Sequence, residues 1–259
     1  MFAMFDVLPL WGVFVVTLLL ILLAHEIGYR LGAVRAKAHS HEKEAPVGAM
    51  VGATLALLGF LLAFTFGLAA NLFQMKRQVM LDEANAIGTT YLRADFLPEP
   101  AQAAVRDLLR EYVDVRLVAA ETGDVAPAIK RSEEIHNQLW GHASASMGEN
   151  PNSIAYGLFV ETLNDVIDLH SARVMIAVRS RIPPTIWLAL YSIAFFAFGT
   201  MGYHAGLGAA NRSFALLAVA VIFAAVIWLV KDLDTAQEGT LQVSQQSMID
   251  LRNSMNPAP

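Results

Sequence analysis

Residues 47–95 read VGAMVGATLALLGFLLAFTFGLAANLFQMKRQVMLDEANAIGTTYLRAD. The part up to Met75 carries no charge, and about 20 apolar residues are enough for a helix to cross a bilayer. No Pro or other stop signal separates it from the charged part that follows. Helical spacing continues there, with Met80, Ala84, Ile87 and Tyr91 at i, i+4, i+7 and i+11. The stretch therefore predicts one long helix, half in lipid and half in water. It would be roughly 70 Å long against a hydrocarbon core of about 30 Å. Such an element connects a membrane region to an aqueous helical layer.

The rest of the chain fits that division. The 259 residues are 56% hydrophobic and only 16% charged, against about 25% charged in soluble domains. Four charge-free runs hold much of the apolar excess: residues 7–24, 45–75, 182–203 and 213–230. Each reaches the roughly 18 residues that mark a spanning helix. No Lys or Arg precedes the first run, and Ala24-His25-Glu26 is a poor cleavage site, so it reads as a retained span and not a signal peptide.

Between spans 2 and 3 the pattern is helical throughout. FLPEP is a turn with two prolines. After it, Val105, Leu108, Leu109, Tyr112 and Val113 mark one apolar helix face that ends at Gly123-Asp124. A further helix from about Pro127 carries Ile129, Ile135, Leu139 and Trp140. The last runs from Ser153 to about Arg181 with Leu163, Val166, Ile167, Val174 and Val178 inward, and Pro183-Pro184 launch span 3. The expected fold is an all-α membrane protein: four transmembrane helices with a helical bundle inserted between spans 2 and 3. Its parts are spans 1 and 2 (1–75), a membrane-proximal bundle (76–182), a span 3–4 hairpin (183–231) and a C-terminal tail (232–259). Four spans put both termini and the bundle on one side of the membrane. Basic residues near the span ends number six on the bundle side (Lys76, Arg77, Arg173, Arg179, Arg181, Lys231) and five opposite (Arg30, Arg35, Lys37, Lys43, Arg212), which points to a cytoplasmic bundle.

Several chemistries are excluded. With no Cys there is no disulfide, thiolate or Cys-ligated metal. A net charge of −5 and the lack of a basic patch exclude nucleic acid as a partner. No phosphate-binding Gly loop, Gly-x-Ser-x-Gly or His-Glu-x-x-His occurs, so neither an enzyme nor a cofactor is expected. His39 and His41 read as solvated loop residues and not a metal site. Glu26 and Arg30 pair at i, i+4 at the end of span 1, and Gly48, Gly52, Gly59 and Gly67 offer span 2 close helix contacts.

Two polar clusters remain. Glu83, Asn85, Thr89 and Arg93 follow the span-2 exit, and Asn164, Asp168, His170 and Arg173 lie on the last bundle helix. Buried polar groups need partners, so both read as a structural network between the two stem helices, with an ion-lining or regulatory role as the alternative. In span 2, Phe60, Phe64 and Leu68 recur every four residues and would stack as rings in an oligomer, where a hydrophobic constriction gates by dewetting. Core or lipid-facing aromatics explain the same spacing.

LLGFLLAFTFGLAANLFQMKRQVMLDEANAIGTTYLRADFLPEP resembles the signature of the bestrophin-like family of bacterial membrane proteins. LNDVIDLHSARVMIAVRSRIPPTIW, FGTMGYHAGL and KDLDTAQEGTLQVSQQSMIDL are similar to its later blocks. The resemblance implies kinship with bestrophins: pentameric anion channels with four membrane helices, whose second helix lines the pore with a hydrophobic neck. It implies a multi-pass protein of the bacterial inner membrane, a homo-oligomer, with chloride or other small anions as partners besides the bilayer. It carries the neck over to Phe60, Phe64 and Leu68. Lys76 and Arg77 could then raise the local anion concentration. Two departures stand out. Of the acidic calcium clasp after helix 4 only Asp232 and Asp234 are present, and Thr235-Ala236 follow where the family commonly has Arg-Pro. The rival reading is a membrane-anchored sensory or scaffold protein whose bundle binds a partner; stoichiometry and the direction of Phe60 and Phe64 discriminate the two.

Overall fold

The computed structural model describes residues 8–38, 44–149, 151–208, 214–235 and 239–256. His39, His41, Lys43, Arg212 and Ala236 lie outside the described residues, as does the side chain of Arg179. Every regular element described is helical: α1 (Leu10–Ala38), α2 (Glu44–Arg93), α3 (Ala101–Thr122), α4 (Val125–Glu149), α5 (Ile154–Arg173), α6 (Pro184–Leu207), α7 (Phe214–Asp234) and α8 (Gln246–Met255). A 3-10 turn (Ala94–Phe96) follows α2 and a π-helical turn (Val174–Arg179) follows α5. Among the described residues, four helices are long and apolar enough to cross a membrane: Leu10–Ala38, Pro46–Phe96, Pro184–Leu207 and Leu216–Asp234. The uninterrupted α2 has 50 residues, a rod of about 75 Å. Helix α1 runs well past the charge-free run 7–24, because Arg35, Ala36, Lys37 and Ala38 are good helix formers.

The chain divides into two compact units, Met1–Leu72 with Arg181–Leu241, and Phe73–Ser180 with Gln242–Pro259. In the first, α1 packs on α6 with backbones in contact. A Cβ on Gly28 would lie 1.9 Å from the carbonyl oxygen of Gly199, one on Gly202 2.0 Å from that of His25, and one on Gly206 2.3 Å from that of Tyr29. Without a hydrophobic driving force between helices in lipid, contact of this closeness is what small residues provide. Thr17 Oγ1 and Tyr191 OH, 3.0 Å apart, join the same two helices. Within one chain the span-2 glycines make no such backbone contact. A Cβ at Gly52, Gly59 or Gly67 meets nothing within 4 Å, and one at Gly48 meets only the His204 side chain.

The second unit has its own core. Ile87, Leu109, Tyr112, Ile135, Leu139, Phe159, Leu163 and Val166 are fully buried, drawn from α2, α3, α4 and α5. Gly123 ends α3 in the left-handed conformation (φ 75°) that an L side chain resists. Ser153 caps α5 by accepting from Tyr156 N at 3.3 Å. Trp140 is 43% exposed; it follows Leu139 by 100° and turns off the buried stripe. The tail folds into α8, whose Met248 and Met255 enter this core. Arg252 pairs with Asp114 at 2.7 Å, and the Met255 carbonyl accepts from Arg110 Nε at 3.2 Å.

Candidate functional site

Helix α2 presents two contrasting faces. In its apolar half Leu58, Leu62, Thr65 and Ala69 are buried at helical spacing. On the other side Phe60 is 70% exposed and Phe64 60% exposed, while Leu68 is half-buried. Only 11% of the α2 apolar window is buried, against 33%, 33% and 39% for the other three spans. The chain itself leaves the Phe60–Phe64 line open.

In its second half α2 turns a different stripe inward: Lys76, Val79, Met80, Glu83, Ala84, Ile87 and Thr90. Glu83 is fully buried and collects partners from two other helices. Arg173 Nη1 on α5 donates to its Oε2 at 2.5 Å. Tyr112 OH on α3 donates to its Oε1 at 2.7 Å, and Arg116 Nη2 approaches the same oxygen at 3.5 Å. His170 Nδ1 lies 3.2 Å from Tyr112 OH. The single Tyr112 proton goes to Glu83, so the Tyr oxygen accepts here and His170 carries its proton on Nδ1. His136, on α4, stacks tilted on Tyr112 and edge-on against His170, with ring centroids 4.9 Å away in both cases.

Electrostatics follow from this geometry. Burial by itself would raise the Glu83 carboxyl, but the guanidinium charges of Arg173 and then Arg116 outweigh it, so its pKa is lowered. Burial, with the Glu83 charge adding to it, pushes the Tyr112 hydroxyl well above its usual range. Burial lowers both histidines to about 4, assisted at His170 by the Arg116 charge, so both imidazoles are neutral at pH 7. One carboxylate thus faces two guanidinium groups inside a helical core. Among the described residues, Arg116 Nε, His136 Nε2 and His170 Nε2 have no hydrogen-bond partner.

The predicted clusters are divided by the fold. Glu83, His170 and Arg173 enter the network. Arg93 bonds the Leu158 carbonyl at 2.6 Å instead. Asn85 and Thr89 are exposed, and line an open groove beside Ser247, Asp250 and Ser254 of α8. Asn164 and Asp168 form an exposed pair at 3.3 Å on the outer face of α5. Tyr112, Arg116 and His136 were missed as partners of Glu83, although Tyr112 and Arg116 stand on the apolar stripe of their helix. Lys76 is buried rather than offered to solvent, which removes it as an attractor of anions; Arg77 is exposed.

Asp232 and Asp234 are both buried and form a local clasp. Asp232 Oδ1 accepts from Thr240 N at 2.7 Å, and its other oxygen from the Thr240 hydroxyl. A Cβ on Gly239 would stand 2.0 Å from Asp232 Oδ1, so only Gly fits there. Asp234 Oδ1 accepts from Ile182 N at 2.8 Å, and its backbone carbonyl from Arg181 Nη1 at 2.9 Å. The pair pins the entry of α6 and the exit of α7. No group of three or more metal-binding side chains occurs among the described residues.

A family model described as Bestrophin-like domain matches residues 18–248. Among solved structures, a variant of a bestrophin homologue from Klebsiella pneumoniae superposes with a TM-score of 0.66 at 14% identity, covering 96% of this chain and 99% of that one. A variant described as a membrane protein gives 0.69 at 14% identity with the same coverage. Another crystal structure of the Klebsiella pneumoniae homologue gives 0.57 at 16%, covering 95% of this chain and 97% of that one. At these identities the likeness is one of fold. No curated protein matches the chain significantly.

Proposed function

The chain belongs to the bestrophin-like family, and on that premise we propose that it assembles into an oligomeric ion channel of the bacterial inner membrane, with α2 as the pore wall. The observation that carries the reading is the open face of α2. Its apolar window is the least buried of the four spans, and it displays Phe60 and Phe64 one turn apart. Packed around a symmetry axis, these positions, with Leu68 below them, would form stacked rings and a dewetting constriction. The open glycines Gly52, Gly59 and Gly67 would let neighbouring copies approach along the same helix.

The family relationship supports a pentamer and makes small anions such as chloride the first ions to test. In this reading the buried Glu83 network fixes the rotation of α2 about its axis, and so decides which residues face the pore. Residues 1–75 and 183–231 then supply the membrane layer, and residues 76–182 the aqueous helical layer, with 232–259 returning to it. The purified oligomer, reconstituted in a planar bilayer, should conduct in a salt gradient, and Phe64→Ala should change the unit conductance. A folded oligomer that never conducts, or a monomer with Phe60 and Phe64 against lipid, overturns the reading in favour of a membrane-anchored scaffold.

A further inference from the structure

Within the second unit, α8 lies beside the aqueous half of α2. Two contacts fix their register. A Cβ on Gly88 would stand 3.2 Å from Leu251 Cδ1, and one turn further on the Tyr91 hydroxyl donates to the Met255 carbonyl at 3.3 Å. The two segments therefore run parallel, and Asn85 and Thr89 on α2 face Ser247, Asp250 and Ser254 on α8. Between them lies a groove of about 500 Å³, within the roughly 300–1,000 Å³ of small-molecule sites. Its floor is apolar, made by Ala84, Gly88 and Leu251, and Leu92 at its end is 67% exposed. From Asn85 to Leu92 it runs about 10 Å. The walls are rich in acceptors. The Thr89 hydroxyl donates to the Asn85 carbonyl at 3.0 Å and the Ser254 hydroxyl to the Leu251 carbonyl at 2.7 Å, so both turn only lone pairs to the groove. Asp250 Oδ1 accepts from Gln246 Nε2 at 2.7 Å, which holds the carboxylate and leaves Oδ2 available. The Asn85 amide and the Ser247 hydroxyl can each accept or donate. No Lys or Arg lines the groove. Arg110 reaches Tyr91 and the Met255 carbonyl at the far end, where Asp107 pairs with it at 2.8 Å.

We propose that the groove between α2 and α8 binds a small aliphatic primary amine. A site that offers acceptors and one carboxylate calls for a cationic donor, and an ammonium brings three N–H groups and no acceptor. It sits at the Asp250 end, on Asp250 Oδ2 and the oxygens of Asn85 and Thr89. The alkyl chain runs over the Gly88–Leu251 floor and covers Leu92. An ammonium suits the site better than a guanidinium, whose two-pronged pairing needs both carboxylate oxygens, and Gln246 already holds one. The same lone pairs repel a carboxylate ligand. The inference is independent of α2 being a pore wall.

The test is calorimetric titration of the detergent-solubilised chain with n-hexylammonium. n-Hexanol and hexanoate carry the same tail with no charge and with the opposite charge, and protein-free micelles give the blank. Wild type should bind hexylammonium about tenfold or more tightly than either control. Asp250→Asn should weaken hexylammonium about tenfold or more and leave hexanol unchanged, while Asp250→Glu should retain most of the binding. n-Hexylguanidinium should bind more weakly than hexylammonium. Asp250 is exposed, so the thermal melts of both variants should match wild type. Hexylammonium held no more tightly than hexanol or hexanoate, or held equally by Asp250→Asn, overturns the inference. Conductance plays no part in these readouts, so failure here is distinct from failure of the channel reading.

Discussion

Acidification should loosen the second unit through two residues. His136 and His170 are held neutral, with pKa values pushed by burial to about 4, while an imidazole in an unfolded chain titrates near 6.5. Between those values the unfolded chain binds protons that the folded one does not, so stability falls as pH falls from about 6.5 to 4. Each histidine contributes on the order of 3 kcal/mol to that fall, and the pair about twice as much. Glu83 does not confuse this window. Its folded pKa is lowered, so its contribution is present above 4.5 and is lost only as pH drops through the lowered value. At about 2–4 °C per kcal/mol, the pair should lower the melting temperature by on the order of 15 °C. The assay is thermal unfolding of the detergent-solubilised protein, followed by circular dichroism, from pH 7 to pH 4. His136→Phe keeps a ring beside Tyr112 without the titration, and His170→Gln keeps a donor near the Tyr112 oxygen. Each should remove about half of the pH-dependent loss, and together nearly all of it. If the double variant falls with pH as steeply as wild type, the neutral buried histidine pair is wrong.

Other outcomes follow from single contacts. Glu83→Gln leaves the buried Arg116 and the partly buried Arg173 without their shared carboxylate and should cost about 3–5 kcal/mol; a double-mutant cycle with Arg173→Met should recover part of it. Gly202→Leu drives a side chain into the His25 carbonyl and should cost more than the roughly 1–3 kcal/mol of ordinary overpacking, seen as lost folded yield, whereas Gly52→Leu meets only open space within the chain. Gly239→Ala should open the Asp232–Thr240 clasp at a cost of about 1–3 kcal/mol, measured as faster proteolysis after residue 235. Asn164→Ala removes half of an exposed pair and should change melting by less than about 0.5 kcal/mol.

Within the candidate site, some partners were readable before folding and some were not. On α5, His170 and Arg173 lie at i+7 and i+10 from Leu163, on the buried stripe with Val166, while Asn164 and Asp168 step off it. The same test applied to Leu109–Tyr112–Val113–Arg116 marks Arg116 as inward, whereas His136 stands 100° from Ile135 just as Trp140 does from Leu139, and only the packing decides that it is buried. A polar residue on an apolar stripe is the signal, and a reading by chemical variety alone overlooks it. What no pattern supplies is the pairing, since Glu83 and Arg173 are 90 residues apart and Glu83 and Tyr112 29 apart. Helix α8 was equally hidden. Its Met248, Leu251 and Met255 have helical spacing, but a segment of 10 residues is too short to form in water without the core that receives it.

By itself the amino-acid sequence determines the four apolar helices and the continuity of α2 from lipid into water. Long uncharged runs have no other low-energy solvent, and an unbroken helical period needs no partner to be recognised. Local pairs such as Glu26–Arg30, joined at 2.8 Å, follow for the same reason. Tertiary structure alone decides which glycines bring backbones together, that Lys76 is buried and Arg77 is not, and that Glu83 gathers two arginines and a tyrosine. These are matters of which face of a helix meets which neighbour. Burial makes that choice through packing and desolvation across the whole chain, and no stretch of residues read alone contains it.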